Sequence, residues 1–239
     1  MDPFSAFDDD NEAEGEPDEL LRDPSDGILV FHKGTEASLL QFVERRFAGK
    51  QKKLDPCSRV LELVDQFCYE RHWMMHVGPE KGRMLLDHLI ESLKRFQNDE
   101  SRNRRPFILL EIGTYCGYSL ILMVRTILSL LNGDEAFRIL TVDVSAANQS
   151  VAKTLASLAG VDAYVDFILL CDCDPENDKT ELSKSVRATL QRISGSWTAE
   201  TRSFADFVFL DHEKDLYYSD LLQLERSEII QRGTYVAAD

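Results

Sequence analysis

The chain has 239 residues, 44% of them apolar, which is enough for one sizeable domain with a proper core. Its net charge of −15 is unevenly placed, since residues 1–26 hold eleven acids against Arg22 alone and the rest carries about −5. That balance lacks the basic face of a nucleic-acid binder, and the longest apolar stretch, 119–131, is too short for a bilayer and includes Arg125.

Residues 1–26, rich in acids, Pro and Gly, read as a disordered tail, with Phe4 and Phe7 among the acids, and a single domain is expected over 27–239. There is no basic, apolar leader of a signal peptide, and the acidity argues against a transit peptide. Five cysteines (57, 68, 116, 171 and 173) form an odd set without disulfide-framework spacing, as in a reducing compartment. A soluble, cytoplasmic protein is therefore expected. Apolar residues at helical spacing predict helices over 37–47, 58–72 and 82–96, with Gly78-Pro79 read as a stop ahead of the third. A polar loop, 97–106, follows.

From Phe107 the pattern changes. Strands are predicted at 107–111, 138–143, 164–170, 206–211 and 234–237, and helices between them at 119–131, 147–159, 180–193 and 216–231. Alternation of this kind gives a parallel α/β sheet, buried on both faces by helices, with ligands outside the carboxyl ends of the strands. Glu111, Asp143, Asp211 and Asp239 all stand at such ends. One such acid can be a helix cap; four together favour a site.

The segment PFILLEIGTYCGYS, residues 106–119, is the most informative. An apolar strand ends on Glu111, a turn with Gly113 and Gly117 follows, and Ser119 is placed to cap the next helix. The glycines let the backbone pass close to a ligand, and the helix start offers free N–H groups. The spacing is not G-x-G-x-x-G, so a dinucleotide site is not the first reading.

The runs WMMHVGPEKG (73–82), LLEIGTYCGYS (109–119), LTVD (140–143), FLDHEKDLY (209–217) and GTYVAAD (233–239) resemble catechol O-methyltransferases over roughly residues 27–239. The resemblance implies a Rossmann-like class I methyltransferase fold and a small-molecule catechol substrate, with S-adenosylmethionine and Mg²⁺ as cofactors. It implies that Met75 and Val77 flank the methionine part of the cofactor. Glu111, Gly113, Tyr115, Gly117 and Ser119 would form the cofactor loop, and Asp143 would accept from the ribose hydroxyls. Asp172 and His212 would lie by the adenine, Asp211 and Asp239 would ligate the metal, and Lys214 would be the general base. The chemistry is coherent: a diphenol hydroxyl has a pKa of roughly 10, metal chelation lowers it, and a lysine beside the metal can be neutral and take the proton.

Several positions depart from the family pattern. Glu213 stands where well-known members carry tryptophan, Asp172-Cys173 replaces a serine-glutamine pair, and Asp143 replaces glutamate. Segments 97–106 and 174–204 read as surface insertions. The sequence closes at Asp239, where the family continues with an asparagine metal ligand and the last two strands, so weak catalysis is expected. Two other functions fit the same residues: a non-catalytic cofactor-binding scaffold, and a cation-dependent methyltransferase for another diphenol such as caffeoyl-coenzyme A. Of the remaining candidates, His72 and His76 lack the H-E-x-x-H context of zinc, and Cys116 reads as packing. Lys81 and Arg83 read as solvated helix residues.

Overall fold

The computed structural model describes residues 34–48, 54–99, 105–131, 136–170, 181–194 and 204–239. The tail, Asp172 and Cys171/Cys173 lie outside them. Three helices lead: α1 (Thr35–Phe47), α2 (Pro56–Glu70) and α3 (Gly78–Asn98). Then come β1 (Phe107–Ile112), α4 (Tyr118–Leu130), β2 (Phe137–Asp143), α5 (Ala146–Leu158) and β3 (Val165–Leu169). The chain continues through α6 (Glu181–Ser194), β4 (Phe207–Leu210), α7 (Tyr217–Arg226) and β5 (Tyr235–Ala238). No described helix is long and apolar enough to cross a membrane.

All five strands are parallel, in the order β3-β2-β1-β4-β5. The order runs outward in both directions from β1, so a crevice opens between β1 and β4 at their carboxyl ends. Alternate strand residues serve opposite layers. Phe107, Leu109, Phe137, Ile139, Phe207 and Phe209 join the core built with α1–α5, and Ile108, Leu110, Leu140, Val208 and Leu210 join the core under α6 and α7. The predicted two-sided burial is therefore present, and with it the Rossmann-like α/β fold.

Two boundaries differ by more than two residues from the sequence reading. Gly78-Pro79 opens α3 rather than stopping it, because proline fits a first helical turn, where its missing N–H is not needed. Helix α7 ends at Arg226 rather than 231. Glu228 turns with φ 53°, which lets Ile229 bury completely beneath the sheet.

At the amino edge of the sheet Asp206, ahead of β4, accepts from the Ile108 amide at 2.9 Å and from both terminal nitrogens of Arg105 at 2.7 and 2.5 Å. Burial pushes the Asp206 carboxyl up, and the Arg105 guanidinium opposes it. At the carboxyl edge the strands are set by Gly113. It has φ 103°, and a β-carbon there would lie 2.1 Å from the Asp211 carbonyl oxygen. Gly113→Ala adds a backbone clash to a left-handed strain, so a loss of about 2–5 kcal/mol is expected in chemical denaturation. A loss below about 1 kcal/mol would show that the two chain segments separate easily.

Candidate active site

The turn after β1 packs into the crevice. The Gly113 and Thr114 amides donate to the Val142 carbonyl at 2.9 and 3.2 Å, and the Gly117 amide closes the turn on the Thr114 carbonyl at 2.9 Å. Tyr115 has φ 43°, a left-handed conformation seldom taken by a bulky residue and often found at ligand sites. Gly117, with φ 81°, caps α4, and Ser119 lies inside the helix instead of capping it. The Ser119 hydroxyl has another use: it donates to Glu111 at 2.7 Å.

Glu111 is fully buried. Thr141 donates to its second oxygen at 2.6 Å, and Thr114 and Thr141 share a 2.7 Å hydrogen bond. Burial pushes the Glu111 carboxyl up to about 8; the Ser119 and Thr141 hydroxyls pull it down, and the charges of Asp211 and Asp143 add to the upward push. Asp143, at the end of β2, accepts from the Tyr115 amide at 2.8 Å and the Ser145 amide at 2.7 Å. It thereby ties the β1 turn to the start of α5, and each oxygen keeps a lone pair for a further donor.

A hollow outside β1 is lined by Met75, Val77, Gly113, Tyr115, Gly117, Ser119 and Asp211, together with Cys68, His76 and Cys116. Met75 is 61% exposed, whereas Val77 is buried. His76 links the Met75 loop to the helices. Its ring nitrogens lie 3.2 Å from the Met74 carbonyl and 3.2 Å from Asp65, and Asp65 also accepts from the Tyr118 hydroxyl at 3.0 Å. Burial pulls the imidazole down, but Asp65, Cys68 and the Met74 carbonyl outweigh it and raise it to about 10. Burial pushes the Cys116 thiol up, which suits packing and disfavours a nucleophile.

Asp211 follows β4 on the far side of Gly113. Burial pushes its carboxyl up to about 6, Asp239 adds to the push, and Lys81, Lys214 and His212 oppose it. The chain thus brings Asp211 and Asp239 within each other's field, with Lys214 exposed on the adjoining 3₁₀ turn Lys214–Leu216. The His212 Nε2–H donates to the Asp220 carboxylate at 2.8 Å, and the ring packs on Tyr217, with ring centroids 5.1 Å apart. Its buried Nδ1 has no partner among the described residues. No cluster of three or more metal-binding side chains occurs among the described residues. Two carboxylates alone still suit Mg²⁺, which is often held by one or two carboxylates and keeps waters or substrate oxygens.

Sequence reasoning missed two partners. Lys81 is an ion-pair donor to Asp239, not merely a solvated residue. Glu36 of α1 accepts from the Tyr115 hydroxyl at 3.3 Å. Neither had a local signal, because each pair joins segments far apart in the chain.

Residues 57–239 match the family model described as O-methyltransferase. The chain belongs to the O-methyltransferase family. It is 27% identical to a catechol O-methyltransferase of Bos taurus over 221 residues, which is 92% of this chain and 66% of that protein. It is 29% identical to the Mus musculus catechol O-methyltransferase over 222 residues, 92% of this chain and 68% of that protein. The chain thus spans about two thirds of the length of these curated relatives. The crystal structure of an SAH-bound methyltransferase from Podospora anserina superposes with a TM-score of 0.51 at 17% identity, covering 90% of this chain and 73% of that one, and so shares the fold.

The buried acid at the centre of this family member carries a pH signature. Glu111 titrates higher folded, at about 8, than its ordinary value of 4.5, so the folded state holds the extra proton between these values. Its contribution therefore falls as pH rises from about 4.5 to 8. Glu111→Gln keeps an acceptor for Ser119 and offers a donor to Thr141. It should raise the melting temperature at pH 8 by about 2–4 °C and leave pH 5 nearly unchanged. A variant less stable than the parent at pH 8 would mean that the hydroxyl donors outweigh burial.

Proposed function

We propose that this chain binds S-adenosylmethionine over the Gly113–Ser119 turn and methylates a hydroxyl of a catechol-type substrate at a divalent cation, Mg²⁺, between Asp211 and Asp239. The observation that carries this reading is the gathering of Glu111, Asp143, Asp211 and Asp239 at the carboxyl ends of neighbouring strands, where Asp211 lines the hollow, Asp143 holds the amide of Tyr115 on its wall, Asp143 and Asp211 act on buried Glu111, and Asp239 acts on Asp211. Such an excess of negative charge suits a cationic cofactor and a metal, and it disfavours an anionic ligand. Family membership and the two catechol O-methyltransferases it resembles support transfer to oxygen.

When bound, the cofactor supplies an electrophilic methyl group and the cation lowers the pKa of a chelated hydroxyl. The protein does the rest. Asp143 presents its remaining lone pairs to ribose hydroxyls. Met75 and Val77, on the wall of the hollow, would flank the methionine end, and the start of α4 would offer amides to its carboxylate. His212 would lie on the adenine side, its buried Nδ1 without a partner among the described residues. Asp211 and Asp239 would hold the cation. Lys214, near Asp211 in the fold, would take the hydroxyl proton at its Nζ, leaving the oxygen to receive the methyl group as the sulfur–methyl bond breaks and the demethylated cofactor is released. Rate comes from positioning and electrostatics, with no covalent intermediate on the protein.

Two substitutions separate binding from chemistry. Asp143→Ala should weaken S-adenosylhomocysteine binding by about 1.5–3 kcal/mol in calorimetric titration, through loss of charge-assisted hydrogen bonds. No binding by the folded parent chain would end this reading. Lys214→Ala should lower kcat for catechol by roughly 10²–10⁴-fold with cofactor affinity unchanged. Lys214→Arg should not restore it, because arginine stays protonated. A kcat equal to that of the parent would remove the lysine from the mechanism.

A further inference from the structure

The Asp211–Asp239 pair has a positive group already in place. Lys81, in the first turn of α3, sends its ammonium to Asp239 and lies 2.8 Å from each carboxylate oxygen. Its charge also reaches Asp211 through space. The other positive groups near Asp211 are engaged differently: Lys214 is exposed on the neighbouring turn, and the Nε2 of His212 is turned to Asp220. The Asp239 side chain is 24% exposed and that of Lys81 62%, so the ammonium reaches in from solvent along a long stem.

From this geometry we infer that the Lys81 ammonium is a built-in counter-cation of the Asp211–Asp239 pair, which a divalent metal must displace, so that Lys81 sets the protein's affinity for the metal. The inference rests on the reading that a cation binds between these two acids. An ammonium and a metal ion compete for the same oxygen lone pairs, and a like charge a few ångströms away repels a dication strongly. Retraction is easy for an exposed lysine, because its head group regains water. The exchange also has a structural consequence. Lys81 stands six residues after Met75 and four after Val77, both on the wall of the hollow, and it joins that segment to the end of β5. Displacing it by metal releases this tie, so occupation of the metal site is communicated to the loop that covers the cofactor's methionine end.

Mn²⁺ serves as the probe, with the free ion counted by electron paramagnetic resonance in titrations of the full chain. Lys81→Met and Lys81→Gln should bind Mn²⁺ about five- to tenfold more tightly than the parent, the size expected for removing one partly solvated charge. Lys81→Arg, which keeps the charge, should stay within about twofold of the parent or bind more weakly. Lys94→Met, which removes an exposed charge elsewhere on α3, should behave as the parent. Because Lys81 is exposed, both neutral variants are expected to keep the parent's circular dichroism and melting curve. Tight Mn²⁺ binding by the neutral variants where the parent binds weakly supports the inference. If the parent binds Mn²⁺ and the neutral variants bind it no better, or Lys94→Met gains as much, the role of Lys81 is overturned and the metal site stands. If neither the parent nor the neutral variants bind Mn²⁺, the metal site and the counter-cation both fall.

Discussion

Gly113 and the Asp211 carbonyl share a space too small for one methyl group, and the site depends on that contact. The sheet order reverses beside β1, so the segments leaving β1 and β4 head to opposite layers. What keeps them from splaying is the close approach of the β1 turn to the end of β4, with the Asp211 amide bonded to the Ile112 carbonyl at 2.8 Å. Only a residue without a β-carbon fits there. With the turn in that position, Tyr115 takes its left-handed conformation, its amide reaches Asp143, and α4 begins at the hollow, which Gly117, Tyr118 and Ser119 line.

The second constraint is electrostatic. A fully buried glutamate and a largely buried aspartate on neighbouring strands cost stability unless donors or cations compensate them. Glu111 is partly compensated by Ser119 and Thr141, and Asp211 by Lys81, Lys214 and His212, yet both carboxyls are still pushed up. Proteins that hold charge in this way commonly do so at functional sites. The arrangement suits ligands that bring positive charge, and Lys81 supplies part of that charge from within the chain.

Much of this was readable from residues alone, and the reasons differ by element. The alternation of apolar strands with amphipathic helices after Phe107 set the parallel sheet, because a strand buried on both faces needs a continuous apolar run and few other patterns supply one. The acids at strand ends were visible as a row for the same reason. Local chemistry was less legible. Gly78-Pro79 reads equally as a stop or a start, and only the packing of the buried Gly78 and Gly82 within α3 decides it. Ser119 has the residue type of a cap, but Gly117 already takes the left-handed position, which moves Ser119 into the helix and frees its hydroxyl for Glu111. Lys81 with Asp239, and Glu36 with Tyr115, are separated by 158 and 79 residues, so no spacing rule could join them.

The central claim is that one hollow, rimmed by the Gly113–Ser119 turn, the Met75 loop and the end of β4, with Asp143 of β2 bound to the turn beside it, is where the cofactor sits. Amide hydrogen exchange with and without saturating S-adenosylmethionine tests it most directly, since exchange reports the location of binding as well as its occurrence. The account predicts slowed exchange confined to residues 75–77, 113–120 and 143–146, with the far ends of the same strands unaffected. Protection elsewhere in the chain, or none at saturation, would contradict it.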